Sequence, residues 1–408
     1  MKFFKTIRLL IIIWALHTPC LGQKVLKNDN TKIPIKISVE TVYKSKDSLF
    51  LQARLAIIPQ KSDTSFIITQ SIYGYGTHAY GDLFMMKKTS RTSKWSSPIK
   101  IKNLLRHTIS DELVKTFGDV TPAWHKNTQT LLCTGKSFFA YTRDTANAAG
   151  TSKRIDIENM QEIAYAVYYP DQNKWSHLEK VVLPEKLDNG DNFVEANAGC
   201  TQRVDLPNGD VLLPVRYKKN GRYVSTVIKC SYDGIKLKYE KHGSLFTIEK
   251  GRGLYEPSLC KFGNHYYLTM RADKSAYVAE GNDGLNFENF KEWKYSDGAV
   301  LGSYNTQQHW ISNSHGLYLV YTRKGANNDY IYRNRAPLFI ARVDPESLSV
   351  LKETEKIVLP IPSNEGDVGN FGVTCINDNE SWVTAPVSPK NIKSEDRETI
   401  IEVSKIKW

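Results

Sequence analysis

The 408-residue sequence predicts an all-β fold, a six-bladed β-propeller, on three observations. A strand–turn–strand–turn pattern returns about every fifty residues. Its turns are Asn-Gly, Gly-Asn and Asp-Gly pairs between alternating apolar runs, the pairs that tight hairpins need. No stretch keeps its apolar residues at helical spacing. Units of this kind bury their faces only against like neighbours, and a ring of four-stranded sheets is the arrangement that does so.

The clearest copies lie in mid-chain. CTQRVDLPNGDVLLPVRY (200–217) gives two strands about Gly209, and STVIKCSYDGIKLKY (225–239) a third that runs into Asp233-Gly234. The order returns in EPSLCKFGNHYYLTMR (256–271) with AYVAEGNDGLNFE (276–288), then in TQQHWISNSHGLYLVYTR (306–323) with APLFIARVDPESLSV (336–350). The hairpin turns at Gly209, Gly263 and Gly316 are 54 and 53 residues apart. Earlier, FGDVTPAWHKNTQTLLCTG (117–135) leads through a polar insertion at 142–162 to IAYAVYYPDQNKWS (163–176). IITQSIYGYG opens a unit that ends at LFMMKKTSRTSKWS (83–96), and NFGVTCINDNESWVTAP (370–386) leads to TIIEVSKIKW (399–408). The units end near Trp95, Trp175, Tyr239, Phe287, Val350 and Trp408, six in all. Residues 33–58 precede the first full unit and are expected to add an outer strand to the last blade, closing the ring; a seventh blade is the alternative.

Residues 1–22 have the layout of a secretory signal: Lys2, Lys5 and Arg8, an apolar run at 9–16, and small Cys20 and Gly22 before a cut at Gln23. The run is too short to span a bilayer. His17-Thr18-Pro19 fits a lipoprotein cut before Cys20 poorly. The expectation is a secreted or periplasmic chain with no integral membrane segment and one propeller domain over 23–408. The formal charge of +12 falls to +9 without the three basic residues of the signal. The lysines are scattered, in pairs at most (Lys87-Lys88, Lys218-Lys219), which is no nucleic-acid footprint. With 22 tyrosines, whose rings stack and whose hydroxyls hydrogen-bond, a glycan is the expected partner. Beyond the signal, Cys133, Cys200, Cys230, Cys260 and Cys375 form an odd set, most of them in apolar runs. No CxxC, HExxH, phosphate-binding glycine loop or Gly-x-Ser-x-Gly elbow occurs, so no metal or cofactor is expected.

SYDGIKLKY and GNDGLNFENF resemble worn copies of the Asp-box turn, Ser-x-Asp-x-Gly-x-x-Trp, of sialidases and their relatives. YEPSLCKFGNHYYLTMR resembles the sialidase segment in which a Glu precedes a strand pair ending in Arg. GDVTPAWH, CTQRVDLPNGD, SYNTQQHW, YTRKGANND, RNRAPLFIARVDP and NFGV are together similar to bacterial secreted sialidase-like proteins. The likeness covers most of 117–386. The Arg-Ile-Pro block of sialidases is absent, and Arg54 in QARLAII is its nearest counterpart. What the resemblance implies is an exo-glycoside hydrolase that removes a terminal acidic or acid-linked sugar. A lyase acting on a uronate-containing glycan and a non-catalytic glycan-binding propeller are the alternatives.

The resemblance makes Glu256 and Arg271 the central pair: Glu256 polarises a tyrosine nucleophile, with Tyr255 adjacent, and Arg271 grips a substrate carboxylate. The other reading of the pair is a blade-edge ion pair. Asp119 is the candidate general acid, and His125 a base or a carboxylate-neutralising partner. Arg203 with Gln202, and Arg323, offer further polar groups for substrate, as do Arg216, Arg333 and Arg335. In SYNTQQHW, Tyr304, Asn305, Gln307, Gln308 and His309 form either a sugar-binding cluster at one rim or a hydrogen-bonded plug in the channel. His78, in a glycine-rich turn, is a weaker candidate.

Overall fold

The computed structural model describes residues 35–59, 64–72, 80–89, 94–110, 113–141, 161–388, 390 and 398–408. The signal-like segment, His78 and nearly all of the 142–162 insertion lie outside the described residues. Among the described residues the strands form six antiparallel sheets, the blades of a propeller. None of their helices is long and apolar enough to cross a membrane.

The first blade runs Phe50–Ile58, Thr64–Ile72, Tyr80–Lys88 and Ile99–Lys100 from axis to rim. The second is built on Leu113–His125, Thr130–Tyr141 and Glu162–Tyr169, the third on Val211–Lys219 and Arg222–Tyr232. Tyr255–Phe262 and His265–Arg271 lead the fourth, and His309–Asn313 and Gly316–Tyr321 the fifth. The sixth consists of Gly372–Asn377, Glu380–Val387, Thr399–Lys407 and, outermost, Lys36–Ser45. That last pairing, from Lys36 opposite Lys407 to Ser45 opposite Thr399, closes the ring.

The expectation for residues 33–58 needs one correction. Only its first half joins the last blade. Phe50–Ile58 is the innermost strand of the first blade, which therefore begins before IITQ. Burial explains the division: FLQARLAII is covered on both faces, as an axial strand must be, whereas KISVETVYKS is half exposed, as suits an outer edge.

The two worn Asp-box turns share one geometry. Asp233 Oδ1 accepts the amides of Ile235 (2.9 Å) and Lys236 (2.7 Å), and Asp283 Oδ1 those of Leu285 (2.8 Å) and Asn286 (2.7 Å). Apolar clusters fill the spaces between neighbouring blades: Leu132, Tyr165, Val215 and Ile228 lie between the second and third, and Trp293, Trp310, Leu319 and Val343 between the fourth and fifth. Polar bonds stitch the ring near its axis, among them Cys200 N to Asp119 O (3.0 Å), Leu259 N to Gln202 O (3.0 Å), Asn305 N to Ala272 O (2.8 Å) and Val368 N to Arg335 O (3.1 Å). The five described cysteines are free thiols, all buried except Cys375.

Candidate functional site

One backbone device, repeated around the axis, makes the mouth of the propeller. In five blades the axial segment carries a non-glycine residue in the left-handed region: Gln52 (φ 58), Asp119 (φ 56), Cys200 (φ 61), Glu256 (φ 49) and Asn305 (φ 48). In the first, second and fourth blades the strand pairing shifts there, between Leu51 and Arg54, Gly118 and Thr121, and Tyr255 and Ser258. A bulge of this kind re-aims a side chain out of the pleat, here toward the axis. Each such residue costs on the order of 1 kcal/mol, and strain of this kind clusters at binding and catalytic sites in proteins generally.

Two hairpins place a cation against the bulged acid by the same register. Gly118, just before Asp119, pairs with Lys136, and Tyr255, just before Glu256, pairs with Arg271. Lys136 Nζ lies 2.6 Å from Asp119 Oδ2, and Arg271 closes onto Glu256. The hairpin pairing read from LYEPSLCKFGNHYYLTMRAD is thus present, with a second copy one-third of the way round the ring.

On the blade-two side, Asp119 is 7% exposed and receives Gln52, Lys136 and the Tyr80 hydroxyl (3.1 Å). Burial opposes its ionisation, but Lys136 and Arg54 outweigh it and hold the carboxyl well below the usual range. At neutral pH it has no proton to give, so this arrangement does not suit the general-acid role expected of it. Lys136 also faces the rings of Tyr80 (5.4 Å) and Phe138 (5.0 Å).

On the blade-four side, Arg271 Nη2 donates to Asn305 Oδ1 (3.0 Å). The Tyr255 ring lies between the guanidinium carbons of Arg252 (4.7 Å) and Arg271 (4.5 Å). Its hydroxyl donates to Asp273 Oδ1 (2.7 Å) and lies 3.2 Å from Asn305 Oδ1. The carboxylate that polarises Tyr255 is therefore Asp273, whereas Glu256 is engaged by Arg271. Burial pushes the Tyr255 phenol up against the pull of Arg271 and Arg252. Asp273, despite burial, is brought down to about 2 by bonds from Arg252 and Tyr255. Arg335 borders the group, donating to Asn305 O (3.0 Å) and Thr306 Oγ1 (3.2 Å).

The polar run SYNTQQHW divides. Asn305 reaches the mouth, and Tyr304 stands beside it, its hydroxyl on Asn334 Oδ1 (2.9 Å) and Lys324 Nζ 4.0 Å from its ring. Gln307, Gln308 and His309, each 1% exposed, form the plug below. Gln307 accepts from Arg54 (3.2 Å) and donates to Phe371 O (2.8 Å); Gln308 donates to Ser303 Oγ (3.0 Å); His309 Nδ1 meets Ser258 Oγ (2.9 Å). Burial, with the charge of Arg54, drives His309 down to about 3, so its ring is neutral. Arg54 Nη2 also bonds Cys200 Sγ (3.0 Å), so it is a strut inside the channel rather than a group at the rim.

Four further candidates lie elsewhere. His125 ends the strand that Asp119 enters, about 20 Å away at ordinary strand rise, with both nitrogens engaged by Thr128 (2.8 Å) and Gly209 O (3.0 Å). Arg203 braces blades two and three through Asp205 (2.8 Å), Leu132 O (2.7 Å) and Ala123 O (3.0 Å). Gln202 holds the amide (2.6 Å) and carbonyl (3.0 Å) of Trp310. Arg323 is bound to Glu355, which also accepts the hydroxyls of Tyr295 (2.8 Å) and Tyr321 (2.5 Å). Among the described residues no group of three or more His, Cys, Asp or Glu side chains is arranged to hold a metal. Sequence reasoning missed Gln52, Tyr80, Lys136, Arg252 and Asp273. Lys136 was within reach, since counting the register outward from the turn at 126–129 sets it opposite Asp119, and the bulge then moves its partner to Gly118.

No family model and no curated protein matches the sequence. The fold matches solved structures over about nine-tenths of the chain. A protein of unknown function from Dyadobacter fermentans aligns with a TM-score of 0.64 at 12% identity, over 92% of this chain and 100% of that one. Trypanosoma rangeli sialidase, solved with the inhibitor DANA, aligns at 0.61 and 13% identity over 90% of this chain. The alignment spans 59% of the trypanosomal enzyme. NanB sialidase from Streptococcus pneumoniae aligns at 0.58 and 10% identity, over 90% of this chain and 70% of that one. The chain is thus a six-bladed β-propeller of the sialidase type in fold.

Proposed function

We propose that the chain is a glycoside hydrolase that removes a terminal acidic sugar at the axial mouth. The observation that supports this reading is the convergence of Glu256, Arg271, the Tyr255–Asp273 pair, Asn305 and Arg335 from two adjacent blades on one rim. In this reading a guanidinium fork takes the sugar's acidic group, with Arg271 at its centre and Glu256 fixing its orientation. Tyr255 attacks the anomeric carbon as Asp273 takes its proton, and the departing oxygen takes a proton from water; the hydroxide so left displaces Tyr255, which recovers its proton from Asp273, and the sugar is released. Ionised Asp119, across the mouth, faces the positive charge that builds on the ring. The relatives in fold include sialidases, which agrees with an acidic sugar as substrate.

A non-catalytic glycan-binding propeller is the second reading. It is favoured by the ionised state of Asp119 and by the cover over Tyr255, which is 3% exposed. Purified protein screened against sialosides, rhamnosyl-glucuronides and ulvan, beside Asp273→Asn, separates the two. Release of an acidic sugar by the wild type, lost in Asp273→Asn while binding persists, supports the hydrolase. Binding without cleavage by the wild type replaces it with the second reading. An unsaturated product absorbing in the ultraviolet would identify a lyase instead.

A further inference from the structure

The fifth blade carries a feature that the proposed reaction leaves unused. Phe290 (38%), Tyr330 (51%) and Tyr332 (54%) are the most exposed aromatic rings among the described residues, and two of the three lie in the loop 324–335. That loop joins Gly316–Tyr321 to Leu338–Asp344 and ends at Arg335, whose Nη2 donates to Asn305 O (3.0 Å) at the mouth. The Tyr332 ring centre is 5.7 Å from the Arg335 guanidinium carbon, so the ring stands beside the mouth. Tyr304, the neighbour of Asn305, makes a second tie, its hydroxyl donating to Asn334 Oδ1 (2.9 Å).

The loop is built to hold its rings still. Asn328 is fully buried, and its Nδ2 donates to Arg323 O (2.9 Å) and Ala336 O (2.7 Å), which ties the two ends of the loop together. Asn334 Nδ2 donates to Asn328 O (3.1 Å) and Asp329 Oδ1 (3.0 Å), across the segment that carries both tyrosines. Asn327 (φ 51), Arg333 (φ 53) and Asn334 (φ 51) all take the left-handed conformation, which non-glycine residues adopt only under strain. Strained backbone and buried bonds that hold two rings out in water bring no structural benefit, because an aromatic face is stabilising only once something covers it. Arg333, its guanidinium carbon 4.9 Å from the Tyr332 ring centre, sets hydrogen-bond donors beside that face. An aromatic face edged by polar groups matches a pyranose, which has an apolar C–H face and a rim of hydroxyls.

We propose that the loop 324–335 forms a second sugar subsite, in which the Tyr332 ring stacks on the pyranose next to the terminal acidic sugar. A terminal sugar has one neighbour, the one across the bond that is cut. The subsite therefore lies on the leaving side, and the substrate is the acidic end of an oligosaccharide chain. This rests on the acidic-sugar reading of the mouth and narrows it. Tyr332 is a binding residue and touches no reacting atom.

The test uses the full chain carrying Asp273→Asn, so that bound sugars are not cut, and adds Tyr332→Ala or Tyr332→Phe to it. Calorimetry compares the methyl glycosides of glucuronic acid and N-acetylneuraminic acid, the methyl esters of both, and two longer ligands ending in the same acids, cellobiouronic acid and 3′-sialyllactose. At least one longer ligand is expected to bind about tenfold more tightly than the methyl glycoside of its acid. Tyr332→Ala should cut that gain to under about threefold and leave the methyl glycosides unaffected, whereas Tyr332→Phe, which keeps the ring, should retain it. Because the side chain is exposed, both variants should fold. Longer ligands that bind no more tightly than the methyl glycosides, a Tyr332→Ala chain with the full gain, or a Tyr332→Phe chain without it each overturn the stacking subsite. The acidic-sugar reading survives those results as long as the acids bind better than their esters. Acids that bind no better than their esters overturn both.

Discussion

Replacing Lys136 with methionine keeps most of the side-chain volume and removes the positive charge 2.6 Å from Asp119 Oδ2. Lys136 and Asp119 expose only 13% and 9% of their side chains, so this pair is buried rather than screened by solvent. Breaking a buried pair from one side costs about 3–5 kcal/mol. Gln52 and Tyr80 still hold the carboxylate, and Asp119 can relax by taking a proton, so the lower end, about 3 kcal/mol at pH 7, is expected. Spread over the ~375 residues from Pro34 to Trp408, the unfolding entropy is roughly 0.8 kcal/mol/K, and the melting temperature should fall by about 4 °C. The pH dependence carries the sharper signature. In the wild type the folded Asp119 carboxyl is depressed, so its contribution is complete above the unfolded value near pH 4 and fades as acid passes the lower folded value. In the variant burial prevails and the carboxyl rises, so the deficit shrinks as pH drops from about 7 to 4. Denaturant unfolding followed by circular dichroism at both pH values measures this. A deficit under about 0.5 kcal/mol at pH 7, or an equal one at pH 4, would refute the reasoning.

Three further outcomes follow from the same geometry. Asp273→Asn should lower kcat about a hundredfold with little change in KM, because it removes the acceptor of the Tyr255 proton, and steady-state kinetics on the substrate found by screening decide it. Arg203→Met should destabilise by about 2–4 kcal/mol in denaturant titration, by removing the bonds to Leu132 O, Ala123 O and Asp205 that tie blades two and three, with glycan affinity unchanged. His309 is depressed to about 3, so the unfolded chain binds a proton that the folded chain refuses; stability should rise between about pH 3 and 6.5, and His309→Gln should flatten that slope in the same titrations.

The fold was legible because each blade advertises itself locally. Gly263-Asn264 between EPSLCKF and HYYLTMR fixes the hairpin register, which sets Arg271 opposite Glu256 by count and, with one bulge, opposite Tyr255 in the structure. The first blade was read late because FLQARLAII has no turn signal before it and is covered on both faces, so it shows no alternation. The plug and the rim were inseparable in SYNTQQHW because polarity is the same in both, and only the left-handed turn at Asn305 separates them. Arg252 and Asp273 escaped notice because they sit in loops beyond the strand ends, where no periodicity reports direction. His125 and Arg203 misled because sequence places residues along a strand but not at one end of a channel.

The pairing of Lys36–Ser45 with Thr399–Lys407 has a consequence for the order of assembly. During synthesis the early strand emerges long before its partner exists and must wait, edge exposed, while five sheets form behind it. Its alternation of Lys, Glu and Ser with Val and Tyr keeps that waiting edge soluble. Once the late strand arrives the two ends of the circle are latched, and opening any single blade then strains its neighbours on both sides.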